Sequence, residues 1–86
     1  MDLFIRNLPT LDIHGFTSDM VYYAVSDFIN DNIKMGNKKI VIVHGIGQGI
    51  LKKEVRRLFS FDYRVKRLYG DSFNLGITII ELNDKI

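Results

Sequence analysis

Asp12 and His14 stand one residue apart in Leu11-Asp12-Ile13-His14-Gly15, and His44 opens the run His44-Gly45-Ile46-Gly47-Gln48-Gly49-Ile50-Leu51-Lys52-Lys53. A carboxylate beside an imidazole can orient the ring, fix its tautomer and raise its pKa, which makes the histidine a general base or acid. His44 is the complementary proton donor in that scheme, or a group that orients a phosphate. Gly45, Gly47 and Gly49 permit positive φ and close backbone approach, so successive N–H groups can converge on an anion. The helix expected to begin near Gly49 or Ile50 adds unsatisfied N–H groups and the positive end of its dipole. Lys52 and Lys53 fall in its first turns, where cations are locally unfavourable until an anion arrives. Arg56 and Arg57 follow as candidate phosphate contacts. Two plainer alternatives stay open. The glycines can serve a tight strand–helix connection by sterics alone, and Asp12 and His14 can simply satisfy strand-end and loop amides.

Two standard nucleotide loops are excluded. The phosphate loop needs glycine and then lysine beginning five positions after Gly45, where this chain has Ile50. The dinucleotide fingerprint needs its third glycine at that same Ile50. Asp12 with two histidines is a thin ligand set, so no metal site is expected from these residues. The chain has no cysteine, which removes disulfides, thiolate metal sites and a cysteine nucleophile, and suits a reducing cytoplasm.

The elements that must position these groups follow from periodicity. Thr10 to His14 alternates, with Leu11 and Ile13 on one side and Asp12 and His14 on the other, which predicts a strand ending at Gly15. Thr17 can cap a helix with Asp19 in its first turn, and Val21, Ala24, Val25, Phe28, Ile29 and Ile33 recur at helical spacing up to Gly36. Lys39 to Val43 is a β-branched run without alternation, as expected of a strand covered on both faces. Ile50 to Phe59 resumes helical spacing. Val65 to Tyr69 and Ile77 to Leu82 predict two further strands, with a loop over Gly70 to Gly76. The order βαβαββ implies a two-layer α/β sandwich, with two helices on one face of a mixed, mostly parallel four-stranded sheet. Sites in such sheets form beyond the carboxyl ends of strands, where Asp12, His14 and His44 all fall. The aromatics Tyr22, Tyr23, Phe59, Phe61, Tyr63, Tyr69 and Phe73 are mostly core candidates. Phe73 could stack on an unpaired base, but the expectation is an anchor that closes its loop.

With 86 residues, 47% hydrophobic, the chain is one small folded domain. Its apolar runs are far shorter than the roughly 20 residues a bilayer-spanning helix needs, and the start lacks a secretory pattern. The net charge is only +2, but Lys52 to Arg67 gathers seven bases against Glu54 and Asp62. One end of the fold is therefore expected to be electropositive and to suit a polyanion. Arg64, Lys66 and Arg67 belong to this group, though strand alternation divides them between faces.

LDIHG at 11–15 and, about thirty residues on, VHGIGQGILKKEV together resemble the Smr domain, the small MutS-related module, with its L-D-x-H-G stretch and H-G-x-G-x-G-x-L-[KR] loop. The closing GITIIEL strand is similar to that family's last strand. The loop before it differs: members often carry a Gly-Gly pair where this chain reads Gly70-Asp71-Ser72-Phe73-Asn74-Leu75-Gly76. The likeness divides the chain into a lead-in over 1–9 and an Smr-like domain over 10–86. With no ATPase portion the chain is either a stand-alone domain or a piece of a longer protein, and Met1 favours the former; a cytoplasmic monomer is expected. The resemblance implies nucleic-acid binding, to RNA or DNA, and endonuclease activity. It also implies the ribosome as a candidate partner, since some members act on messenger RNA at stalled ribosomes. It assigns Asp12, His14 and His44 to the reacting phosphodiester. In RNA one histidine would activate the 2′-hydroxyl and another would protonate the leaving oxygen; DNA would call for water on a divalent cation, Mg or Mn. The alternative is a non-catalytic module docking on nucleic acid or the ribosome through the same basic helix.

Overall fold

Ile40, Val41 and Ile42 are buried on alternate sides of one strand, so the segment Lys39–Val43 (β2) has protein on both faces. The computed structural model describes residues 7–84, and the other elements arrange themselves around this strand. Thr10–Asp12 (β1) pairs with it in parallel, Leu11 opposite Ile42 and Asp12 opposite Val43. Ser18–Lys34 (α1) makes the crossover between them. Ile50–Phe59 (α2) follows β2, and Val65–Gly70 (β3) and Ile77–Leu82 (β4) complete a four-stranded sheet in the order β1-β2-β4-β3. Of the lead-in expected over 1–9, residues 1–6 lie outside the described residues. Pro9 already belongs to the sheet edge, its carbonyl accepting the Val41 amide at 2.9 Å.

The sheet is mixed, but its parallel share is smaller than the sequence suggested. Only β1–β2 is parallel; β2–β4 and β3–β4 are antiparallel. The short connection between β3 and β4 permits only a hairpin, and β4 then slots between β3 and β2. All six residues of β4 are buried in that central place.

Both helices cover one face. Val21, Val25 and Ile29 form the i, i+4, i+8 stripe of α1, Val55 and Phe59 that of α2, and these meet Ile13, Ile40, Ile42, Ile80 and Leu82. Each fully buried aliphatic of this set is worth about 1.5–3 kcal/mol relative to exposure. The opposite face carries a smaller apolar group, Val41, Ile77 and Ile79, with Leu8, Val43 and Tyr69 packed against it. Beside it Glu81 accepts from Arg67 Nε and the Tyr69 hydroxyl, both at 2.9 Å.

Helix α1 stops in a glycine-terminated turn: Gly36 takes φ +79°, and the Asn37 amide reaches back to the Asn32 carbonyl at 2.9 Å. At its start Thr17 sits at the N-cap in extended conformation, as expected, but its hydroxyl caps nothing and its carbonyl receives the Met20 and Val21 amides. The aromatics depart further from expectation. Phe59 is fully buried, whereas Tyr22, which stacks on it at 5.8 Å, and Tyr23, Phe61, Tyr63 and Phe73 are exposed. With two helices on a single face, the core has room for few large rings. No helix among the described residues is long and apolar enough to cross a membrane.

Candidate functional site

Strand β1 ends sooner than the alternating pattern predicts. Ile13 extends the ladder by one bond, its amide donating to the Val43 carbonyl at 2.8 Å, and the chain then turns through His14 and Gly15, the latter at φ +80°. His14 therefore lies beyond the strand, and a shared strand face is not what joins it to Asp12. A side-chain turn joins them instead: Asp12 Oδ1 accepts the His14 backbone amide at 3.0 Å and its Nδ1 at 2.6 Å. A carboxylate can only accept, so Nδ1 carries the proton, and Nε2 has no partner among the described residues. The hydrogen bond from His14 holds the Asp12 carboxyl below its ordinary 3.8. Both side chains face solvent, 73% exposed for His14 and 53% for Asp12.

His14 is backed by the glycine loop: a Cβ placed on Gly45 would lie 3.9 Å from His14 Cβ. Gly45 takes φ +83°, which only glycine adopts without strain, and the amides of His44 and Gly45 both donate to the Gly76 carbonyl, at 2.9 and 3.0 Å. The Gly45 amide is thus already engaged, contrary to the sequence expectation that it would face an anion. The open amides lie further along. Gly49 ends the loop at φ +76°, and the first amides of α2, on Ile50, Leu51 and Lys52, find no acceptor among the described residues. Residues 44–52 enclose a hollow of about 220 Å³ at this helix end. A second hollow opens on the outer sheet face; Gly45 and Ile46 line both.

His44 differs from His14 in every respect that matters for proton transfer. It is buried, Nδ1 lies 2.9 Å from the Gly45 carbonyl, and Nε2 lies 2.9 Å from Thr78 Oγ1. The carbonyl fixes the proton on Nδ1, so in the neutral ring Nε2 accepts from the Thr78 hydroxyl. Both nitrogens serve the protein, and the ring ties the loop to the central strand. Thr78 was missed by sequence reasoning, although a threonine inside Ile77-Thr78-Ile79-Ile80 is the one polar intruder there.

The basic residues divide as sharply. Among the described residues no carboxylate lies within ion-pair distance of Lys52, Lys53 or Arg56. Arg57 is instead clamped by Glu54, donating from Nε at 2.6 Å and also from Nη2. Glu54 is held below its ordinary 4.5 by hydrogen bonds from Ser18 first and Arg57 second. Arg64 is no surface cation: it is 7% exposed, donating to Asp62 and reaching α1 at Asn30 Oδ1, 2.8 Å away. Arg67 is occupied by Glu81. No three His, Cys, Asp or Glu side chains converge among the described residues as a metal set would require.

Comparison with known proteins places this geometry. The family model for the Smr domain matches residues 11–83. The curated protein named endonuclease MutS2 of Finegoldia magna is 35% identical over 75 residues, covering 84% of this chain and 10% of that protein. The protein of the same name from Caldicellulosiruptor bescii is 32% identical over 79 residues, covering 87% and 10%. The chain thus spans about a tenth of the length of these relatives. Among solved structures, the crystal structure of the Smr domain of Thermus thermophilus MutS2 aligns with a TM-score of 0.82 at 22% identity, covering 88% of this chain and 99% of that one.

Proposed function

This chain belongs to the Smr domain family, and from that premise we propose that it binds nucleic acid and cleaves phosphodiester bonds as an endonuclease. The observation that carries the reading is adjacency: the Asp12–His14 couple is backed by Gly45, the residue that opens the amide-lined loop. The name endonuclease on its relatives agrees with it.

A backbone phosphate seats at the free amides of Ile50, Leu51 and Lys52, with the Lys52, Lys53 and Arg56 charges around it. His14 Nε2, oriented through Nδ1 by Asp12, takes the proton of the nucleophile. With RNA the 2′-oxygen attacks phosphorus, the bond to the 5′-oxygen breaks, and a cyclic phosphate and a 5′-hydroxyl result. The leaving oxygen takes its proton from solvent, because both His44 nitrogens are engaged by Gly45 and Thr78. His44 is in this reading a positioning residue. A DNA substrate lacks the 2′-hydroxyl, and a divalent cation would then supply activated water.

Single-stranded RNA and supercoiled DNA, each with and without chelator, test the reading. The wild-type chain should cut at least one, and Asp12→Ala with His14→Ala should cut at least about 100-fold more slowly. Equal cutting by the double variant, or none by wild type, refutes catalysis.

One observation favours a second reading. Asp12 and His14 stand open to water, while Lys52, Lys53 and Arg56 on α2 have no carboxylate partner among the described residues, as suits a docking module without catalysis. Such a module keeps its affinity in the Asp12→Ala, His14→Ala variant and loses it on charge reversal of Lys52 and Arg56. Affinity that survives the reversal rules it out.

A further inference from the structure

Phe73 is 84% exposed, in the loop where an anchoring ring was expected. Both ends of that loop meet residues that line the hollow at the start of α2, while Asn74 and Gly76 themselves line the second hollow on the outer sheet face. At its start a Cβ on Gly70 would lie 4.0 Å from Lys52 Nζ. At its finish the Gly76 carbonyl holds the His44 and Gly45 amides. Asn74 Oδ1 accepts the Gly76 amide at 2.9 Å, which fixes the returning half of the loop and leaves Phe73 at its crest. Phe73 is three residues from either end, so its Cα is at most about 11 Å from the Cα atoms of Gly70 and Gly76. Ile46, 70% exposed, adds apolar surface on the hollow's rim.

We propose that Phe73 is a stacking platform for an unpaired base of a single-stranded nucleic acid whose phosphate occupies the hollow. This rests on the nucleic-acid reading above and deepens it to a substrate class. In a duplex the bases are paired and turned inward, so a ring beside a phosphate site meets a base face only on a single strand or a loop. The flanking Lys52, Lys53 and Arg56, without carboxylate partners among the described residues, suit a polyanion and not an apolar peptide. Because every base has a π-face, the preference is for strandedness and not for sequence.

Fluorescence anisotropy decides it with three labelled ligands: a single strand, a duplex of the same sequence, and a strand in which abasic sites replace the bases. Phe73→Ala should weaken the single strand about five-fold or more while leaving duplex and abasic strand unchanged. Phe73→Trp should restore affinity, and its fluorescence should be quenched by the single strand alone. Because the ring is exposed, Phe73→Ala should keep the wild-type Tm. If Phe73→Ala binds the single strand like wild type, or loses all three ligands alike, the platform is refuted while the basic-helix reading stands. If no ligand binds wild type, both fall together.

Discussion

Salt dependence separates the four bases of α2 more sharply than affinity does. Lys52, Lys53 and Arg56 have no carboxylate within ion-pair distance among the described residues, while Arg57 is held by Glu54. Each cation that neutralises a phosphate releases counterions and contributes about 0.7 to the slope of log K against log salt for a single strand. Three free cations predict a slope near −2, so raising salt from about 50 to 200 mM should weaken binding roughly 20-fold. Lys53→Gln and Arg56→Gln should each flatten the slope by about 0.7. Arg57→Gln should flatten it much less, since Arg57 would have to leave Glu54 before meeting a phosphate. Anisotropy titrations at four or five salt concentrations measure this directly. An Arg57→Gln slope change equal to that of Arg56→Gln refutes the assignment, as does a triple variant with the wild-type slope.

The two histidines should fail in opposite ways. His14→Ala should change the unfolding free energy by no more than about 0.5 kcal/mol, as an ordinary surface change does, while abolishing cleavage; His44→Ala should cost about 2–3 kcal/mol in thermal or urea unfolding, because a buried ring and two hydrogen bonds are lost. Thr78→Val, nearly isosteric, should cost about 1–3 kcal/mol by leaving His44 Nε2 without a partner, and wild-type stability in that variant would remove the positioning role. Acid should act through Asp62, whose carboxyl is held below its ordinary 3.8 chiefly by the hydrogen bond from Arg64. Below that ordinary value the unfolded chain binds the proton first, so the Asp62 contribution is complete above 3.8 and is lost as pH falls through the lower folded value. Asp62→Asn, which strands the buried Arg64, should cost about 3 kcal/mol near neutrality, and the Tm gap to wild type should close towards pH 2; a gap that is constant with pH would contradict this.

The elements themselves were legible because local rules decide them. The α1 stripe of Val21, Val25 and Ile29, its stop at Gly36 and the β-branched strand Lys39–Val43 all stand where periodicity and glycine chemistry put them. Parallel pairing of β1 with β2 followed from one intervening helix, and it delivered Asp12 and His44 to one edge. The join between Asp12 and His14 was readable as a pair but not as a turn, since an aspartate can end a strand as readily as continue it. Phe73 and the exposed Tyr23, Phe61 and Tyr63 were misjudged because aromatic identity says nothing about how much core two helices leave to fill.

The amino-acid sequence alone determined the kind of domain this is and the residue types at its site, through motifs and periodicities that act over a few residues. Tertiary structure alone decided which of those residues are free to act. Gly76 and Thr78, at the end of a loop and in the strand that follows it, lie far along the chain, and by engaging the Gly45 amide and the His44 ring they leave His14 as the histidine whose Nε2 has no partner among the described residues. Glu54 likewise removes Arg57 from the available charge. Competition for a hydrogen-bond partner is settled by what arrives in space, and no local pattern carries that information.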